Sequence, residues 1–257
     1  MNIELDHLSY SSISSYMTCG KAWKYRYIDK VQTPTSPVLV TGSCVHETVE
    51  EIIRRRTLSI EDVNPVEFAK ADFDKRKSEL AEEDAENAEK EIVNMVSAPA
   101  ILSGISELRA ALDHDGQPLI EKKVELRIPE VELPIVGYID IILSDGTPAD
   151  FKTAARSWTQ DRAESEKQPI FYLAAMGQCG IPVNWKFKHL VMVKTLKPKF
   201  QILEHEHKPA ELFGLFKQVQ EVWKSIEKGV FLPAAPGSWK CSPKWCEYWD
   251  ICQGTEQ

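Results

Sequence analysis

A chain of 257 residues, 43% hydrophobic and 27% charged, has the balance of a globular protein with enough apolar surface to bury a core. No stretch approaches the about 20 apolar residues that span a bilayer, and a formal net charge of −8 argues against a protein that coats nucleic acid through bulk charge. Met1 to Tyr10 mixes Glu4, Asp6 and His7 with apolar residues and lacks the basic start and apolar run of a secretory leader, so a cytoplasmic location is expected.

Ser11 to Ile28 reads as a helix: Ile13, Tyr16, Met17, Trp23 and Tyr27 form an apolar, aromatic stripe, and the serines before them can cap it. Pro34 and Pro37 break the pattern after it, and Gly42 opens a second helix, Ser43 to Arg55, with His46 in its first turns. Residues 65–113 are charged, dense in Ala, Glu, Lys and Leu, and nearly free of strand signal; they predict two or more helices forming an inserted lobe. The charge run Glu79 to Glu91 reads as a solvated helical face.

The pattern then changes. Lys122 to Ile128 alternates, with Val124, Leu126 and Ile128 on one face. Glu132 to Leu143 is a second strand, Gly146 marks a turn, and Pro148 to Thr153 is a third strand. Gln168 to Met176 looks helical, Phe187 to Lys194 and Phe200 to His205 are two more strands, and Pro209 to Lys228 is an amphipathic helix with Leu212, Phe216, Val219, Val222 and Trp223 inward. The tail 231–257 is rich in Pro, Trp and Cys. The order predicts a single α/β domain over 1–257, a mixed central sheet with helices on its faces.

Asp140 lies in a strand that is otherwise apolar, where an ionised carboxylate is costly without a cation or dense hydrogen bonding. Asp150 and Lys152 are two apart in the next strand and project to one face. A hairpin through Ser144, Asp145 and Gly146 would bring Asp150 near Asp140. Two acids and a lysine suit phosphodiester hydrolysis: hard oxygen ligands hold Mg²⁺ or Mn²⁺, the metal lowers the pKa of a bound water, and an ammonium stabilises added negative charge. Taken alone, Asp150 and Lys152 are better read as a surface cross-strand feature, because short motifs recur by accident.

Together, in order, the elements resemble the RecB-like nuclease branch of the PD-(D/E)xK superfamily. The family's Gly-x-x-x-His helix, Gly-x-x-Asp strand, Asp-x-Lys-Thr strand and Gln-x-x-x-Tyr helix are matched by Gly42 to His46, Gly137 to Asp140, Asp150 to Thr153, and Gln168 to Tyr172. The run Ser11 to Tyr16, followed by Cys19 and Trp23-Lys24-Tyr25, also looks like the family's first helix. The resemblance implies a restriction-endonuclease-like core with a helical insertion over 65–113. It implies that His46, Asp140, Asp150 and the Phe151 carbonyl bind Mg²⁺ or Mn²⁺, that Lys152 is the catalytic lysine, and that Gln168 and Tyr172 position the site and the DNA strand.

There are six cysteines, of which Cys241, Cys246 and Cys252 form a Pro- and aromatic-rich metal-binding loop that is one ligand short. By spacing, an iron–sulfur cluster and zinc are both open, with disulfides third. The resemblance favours a 4Fe–4S cluster: Cys19 stands where iron–sulfur nucleases of this family, CRISPR-associated and phage enzymes among them, carry their first cluster cysteine. Such a cluster would staple residue 19 to the 231–257 tail. Cys44 and Cys179, in apolar helical settings, read as small buried hydrophobes.

The expected function is a metal-dependent DNA exonuclease acting on linear ends or single strands in recombination, repair, phage DNA metabolism or CRISPR adaptation. For a phage-encoded chain the location would be the host cytoplasm. The alternative is a DNA-end-binding or scaffolding subunit without catalysis. No Gly-x-x-x-x-Gly-Lys-Ser/Thr loop is present, so a helicase, recombinase or CRISPR adaptation protein would be a separate partner. Lys21, Lys24 and Arg26 are the candidate phosphate contacts on the first helix.

Overall fold

The structure is a computed structural model that describes residues 5–254. The first four residues of the segment read for a leader, and the last three of the Cys-rich tail, lie outside the described residues. The chain divides into two compact units: residues 1–33, 125–137 and 210–257 form one, and residues 34–124 and 138–209 the other. No described helix is long and apolar enough to cross a membrane.

In the first unit, the helix expected over Ser11 to Ile28 is two helices, α1 (Tyr10–Thr18) and α2 (Gly20–Tyr27). Cys19 between them is extended (φ −160°), and its thiol accepts the Ala22 amide at the start of α2. Ser9 and Ser12 cap α1 reciprocally. The packing is aromatic: Trp23 is fully buried, stacked on Phe231 and edged by Tyr16. Gly20 is required here, because a Cβ would meet the Leu232 backbone nitrogen at 2.9 Å. The start of the tail thus runs against the first turn of α2. The long helix α9 (Glu211–Glu227) buries Leu215, Val219, Val222, Trp223 and Ile226, and a short helix, α10 (Trp249–Gly254), lies in the tail where the sequence suggested little regular pattern.

The second unit carries the site. Its first helix, α3 (Pro37–Thr57), begins a turn and a half before the expected start, because Pro37 is the first helical residue rather than a breaker. The inserted segment supplies α4 (Pro65–Arg76), α5 (Glu82–Val96) and α6 (Pro99–Gly104). The strands are β1 (Ile120–Leu126), β2 (Ile135–Ile142), β3 (Pro148–Ala154), β4 (Lys186–Val193) and β5 (Lys199–Glu206), in the spatial order β1-β2-β3-β4-β5. β2 and β3 form the expected hairpin, antiparallel through Ile141 opposite Ala149, with Gly146 at φ +79° in the turn. Between β3 and β4 the chain forms α7 (Gln160–Ser165) and α8 (Gln168–Gln178), and this crossover makes the two strands parallel. β4 and β5 are antiparallel. The mixed sheet flanked by helices is the architecture expected from the element order.

The core of this unit joins Cys44, Val45, Val49, Ile52 and Ile53 of α3 to Ile92 and Met95 of α5 and to Ile141, Phe151, Leu190 and Met192 of the sheet. Fully burying such side chains contributes about 1.5–3 kcal/mol each, which fixes α3 against β3. Cys44 is buried, as its apolar setting suggested; Cys179 is exposed instead, because it caps the end of α8 after the last apolar turn.

Candidate active site

Three elements converge where the carboxyl half of β2 lies against β3. Gly42, His46 and Glu50 succeed one another at four-residue steps on one face of α3. That face lies against β3: a Cβ on Gly42 would stand 3.3 Å from Thr153 Oγ1. The glycine of the Gly-x-x-x-His motif therefore lets the helix approach the strand closely enough to bring His46 to the site. The His46 ring lies 6.0 Å from that of Phe151. Its Nε2 is buried without a hydrogen-bond partner. Burial, reinforced by the Lys152 charge, lowers its pKa to about 4, so the imidazole is neutral at neutral pH.

Asp140 and Asp150 meet through the hairpin. Asp140 Oδ2 accepts the Phe151 amide at 2.6 Å. Asp150 is 3% exposed, and its Oδ2 lies 2.6 Å from Lys152 Nζ. The contact is a buried ion pair that satisfies Oδ2. Burial raises the pKa of both carboxyls; the Asp150 charge adds to the rise at Asp140, while Lys152 opposes it at each. Burial pulls Lys152 down, but the two aspartates outweigh it, and the amine is held as an ammonium.

Gln168 and Tyr172 complete the group. Lys152 Nζ donates to Gln168 Oε1 at 3.2 Å, and Gln168 Nε2 donates to the Tyr172 hydroxyl at 2.9 Å. The four-residue spacing on α8 produces that second contact, and Pro169 in the first turn starts the helix where the glutamine is needed. The chain Asp150, Lys152, Gln168, Tyr172 holds the lysine from both sides.

Two acidic residues belong to this place that no sequence motif marks. Glu50, Glu121 and Asp140 each offer a carboxylate oxygen within 4.8 Å of the others. Glu50 is 5% exposed, and burial, then the charges of Glu121 and Glu47, raise its pKa to about 8. Its signal in the sequence is its position, one turn beyond His46 and between the buried Val49 and Ile52. Glu121 has φ +52°, a left-handed backbone at a residue that is not glycine. His189 is likewise outside every motif. It pairs with Asp150 across β3 and β4, is buried, and stacks on His205 at 5.1 Å between ring centres. Burial, and then the neighbouring His205 and Lys152 charges, lower its pKa to about 3, so it presents a neutral wall beside the aspartate.

Cys19, Cys241, Cys246 and Cys252 all lie in the first unit, Cys44 and Cys179 in the second. None of the six is in a disulfide. Burial raises the pKa of Cys246, the Tyr248 amide lowers it, and the charges of Cys19, Cys252 and Cys241 raise it further. Cys19 Sγ accepts the Ala22 amide at 3.4 Å. Amide donors to Cys19 and Cys246 favour the thiolate form that a metal group would need. The candidate phosphate contacts are largely neutralised: Lys24 pairs with Asp29 at 2.6 Å, and Arg26 lies 3.9 Å from Glu247.

The sequence profile of the PD-(D/E)XK nuclease superfamily matches residues 7–253. Among solved structures, a protein of Eubacterium rectale provisionally assigned as an exonuclease superposes with a TM-score of 0.59 over 92% of this chain and 86% of its own, at 11% identity, a likeness of fold. No curated protein matches in sequence. With nearly its whole length matched and the Asp-x-Lys strand set beside a second aspartate, the chain belongs to the PD-(D/E)XK nuclease superfamily, whose members are metal-dependent nucleases.

Proposed function

We propose that this nuclease hydrolyses the phosphodiester bonds of DNA as an exonuclease of the RecB-like branch, acting on linear ends or single strands. The observation that supports this most is the alignment of Asp150, Lys152, Gln168 and Tyr172 beside Asp140. A platform for DNA ends would have no use for an ammonium buried between an aspartate and a glutamine, so the catalytic reading is preferred to the scaffolding one.

The donor set fits a divalent cation. His46 offers a neutral, unsatisfied Nε2, and Asp150 a buried carboxylate held by Lys152. These two, with Asp140 and the Phe151 carbonyl, would hold Mg²⁺ or Mn²⁺. When bound, the cation lowers the pKa of a water and offsets phosphate charge. The protein's own groups do the rest. Lys152, fixed by Asp150 and Gln168, presents a positive charge where negative charge accumulates in the transition state. Gln168 is oriented by Tyr172 and so keeps the ammonium in register. His189 keeps a neutral surface behind Asp150.

Cys19, Cys241, Cys246 and Cys252 are read as ligands of a 4Fe–4S cluster, with zinc the rival occupant. The group would tie α2 to the tail within the first unit and would not take part in hydrolysis. Recombination, repair, phage DNA metabolism and CRISPR adaptation are the processes such an activity would serve, with a helicase, recombinase or adaptation protein supplied separately.

The test is digestion of end-labelled linear DNA, single- and double-stranded, beside covalently closed circles, with Mg²⁺ or Mn²⁺ and with chelator. Linear substrate should be shortened from its ends and circles spared. Equal cutting of circles would refute the exonuclease assignment, and metal-independent cutting would refute the mechanism.

A further inference from the structure

Of the seven tryptophans, Trp239 and Trp245 are the two left exposed. Trp239 is 64% exposed and Trp245 59%, against 0% for Trp23 and 4% for Trp223 in the same unit. A single exposed apolar side chain needs no explanation, but two indoles in one stretch of the tail form a surface that calls for an occupant. The stretch is folded. Cys241 N donates to the Ser238 carbonyl at 2.9 Å, Ser242 Oγ to the Trp239 carbonyl at 2.9 Å, and the Trp245 and Cys246 amides to the Ser242 carbonyl at 3.0 and 2.9 Å. The two rings stand edge to face, 5.6 Å apart between centres and at 87°.

Each ring carries a lysine. Lys240 Nζ lies 5.5 Å from the centre of the Trp239 ring, and Lys244 Nζ 5.1 Å from that of Trp245. Neither lysine has an ion pair among the described residues, whereas Lys24 and Arg26 are engaged by Asp29 and Glu247. Glu247, the acid nearest Trp245 in sequence, accepts Thr33 Oγ1 at 2.9 Å and lies 3.9 Å from Arg26. An exposed cation–π contact is weak, and the flexible stem of a lysine lets its ammonium pass from the ring to a phosphate. The surface therefore offers two flat apolar rings with a movable positive charge beside each, the complement of nucleobases joined by phosphates. Indoles alone would fit a protein partner as well, but protein interfaces are depleted in lysine, so the alternation of ring and ammonium favours nucleic acid. Rings at right angles cannot both lie on the parallel bases of a duplex, while a flexible single strand can turn one base to each.

We propose that Trp239 and Trp245, with Lys240 and Lys244, form a platform that holds an unpaired DNA strand, one base on each ring and one phosphate at each lysine. The inference rests on the reading of DNA as the substrate. Stacking on aromatic side chains tolerates any sequence, because every base has a π face, and a nuclease that shortens strands from their ends needs that tolerance. Two phosphates neutralised on a single strand give a salt slope of about −1.4.

The experiment measures binding of labelled oligothymidylate, an abasic strand of equal length and a duplex by fluorescence anisotropy, using the full chain purified anaerobically with no divalent cation added. Wild type should prefer oligothymidylate to both of the others. Trp239→Ala and Trp245→Ala should each weaken that binding by about fivefold or more and narrow the gap to the abasic strand, and Trp239→Phe should recover part of the loss. Lys240→Gln and Lys244→Gln should each reduce the salt slope by about 0.7. These two exposed lysines keep the test open should the alanine variants lose the fold of the tail, which circular dichroism and metal content report. Equal affinity of wild type for the abasic strand and oligothymidylate would overturn the platform, as would unchanged affinity in the folded variants. A wild-type dimer that Trp245→Ala makes monomeric, with DNA affinity unchanged, would assign the face to a second copy and overturn the proposal. Tighter binding of an RNA strand would overturn the choice of DNA. Strands bound as expected yet left uncut when Mn²⁺ is added would remove the nuclease reading and leave the platform standing.

Discussion

Replacing Glu50 by Gln should stabilise the metal-free protein, and more so as pH rises. Glu50 has an ordinary pKa of 4.5 that burial and neighbouring acids raise to about 8 in the folded chain. A carboxyl whose folded pKa is raised favours the folded state fully only below its unfolded value. As pH climbs from 4.5 towards 8, the unfolded chain gains by ionising while the folded one stays protonated, so stability is lost across that window. At 1.36 kcal/mol per pKa unit, the loss at Glu50 is about 1 kcal/mol at pH 5 and about 3 kcal/mol at pH 7. The glutamine does not titrate. The variant should therefore gain on wild type by about 2 kcal/mol between these pH values, a relative Tm shift of roughly 4–8 °C for a chain of this size. Thermal unfolding in excess chelator at pH 5, 6 and 7 measures it. Parallel curves for the two proteins would refute the raised pKa of buried Glu50.

The cysteine cluster predicts that Cys19→Ser, Cys241→Ser, Cys246→Ser or Cys252→Ser in anaerobically purified protein lowers iron and sulfide content and thermal stability, while Cys44→Ala and Cys179→Ser leave the metal content unchanged. One zinc and no iron in wild type would reassign the site to its rival occupant. DNA affinity should fall as salt rises, but with a shallow slope, because Lys24 and Arg26 are already engaged by Asp29 and Glu247. Restoring a free cation with Glu247→Gln should steepen that slope, and an unchanged slope would show that α2 does not contact phosphate.

The fold was legible wherever one period dominated. The alternation in β1, the apolar β2 with its single aspartate, and the Asp145-Gly146 turn are local signals, and the hairpin followed from them. The sites carried by motifs were legible for the same reason: Gln168 and Tyr172 are one turn apart on a helix and meet because of it. The misses have physical causes. Cys19 sits in a periodic stripe that looked like one helix, yet its extended backbone divides the stripe so that its thiol can cap the second half. Pro37 reads as a breaker or as a first helical residue, and only packing decides which. Glu50 resembles a surface charge among Glu47 and Glu51, and its burial comes from tertiary packing that the local pattern does not record. Glu121 joins the site through a positive φ and His189 through strand register with Asp150, both products of tertiary pairing.

The central claim is that Asp150 and Lys152 perform metal-dependent phosphodiester cleavage at this centre. It is tested most directly by single-turnover digestion of linear DNA in Mn²⁺ by wild type, Asp150→Asn and Lys152→Met, each first shown folded by circular dichroism. Removing one partner of the buried pair costs about 3–5 kcal/mol of stability, so the nearly isosteric Asn, the similarly long Met and a temperature well below unfolding keep the comparison fair. Wild type should cut, both variants should lose at least roughly a hundredfold in rate, and no sample should cut in excess chelator. Cleavage by folded Asp150→Asn or Lys152→Met at the wild-type rate would contradict it.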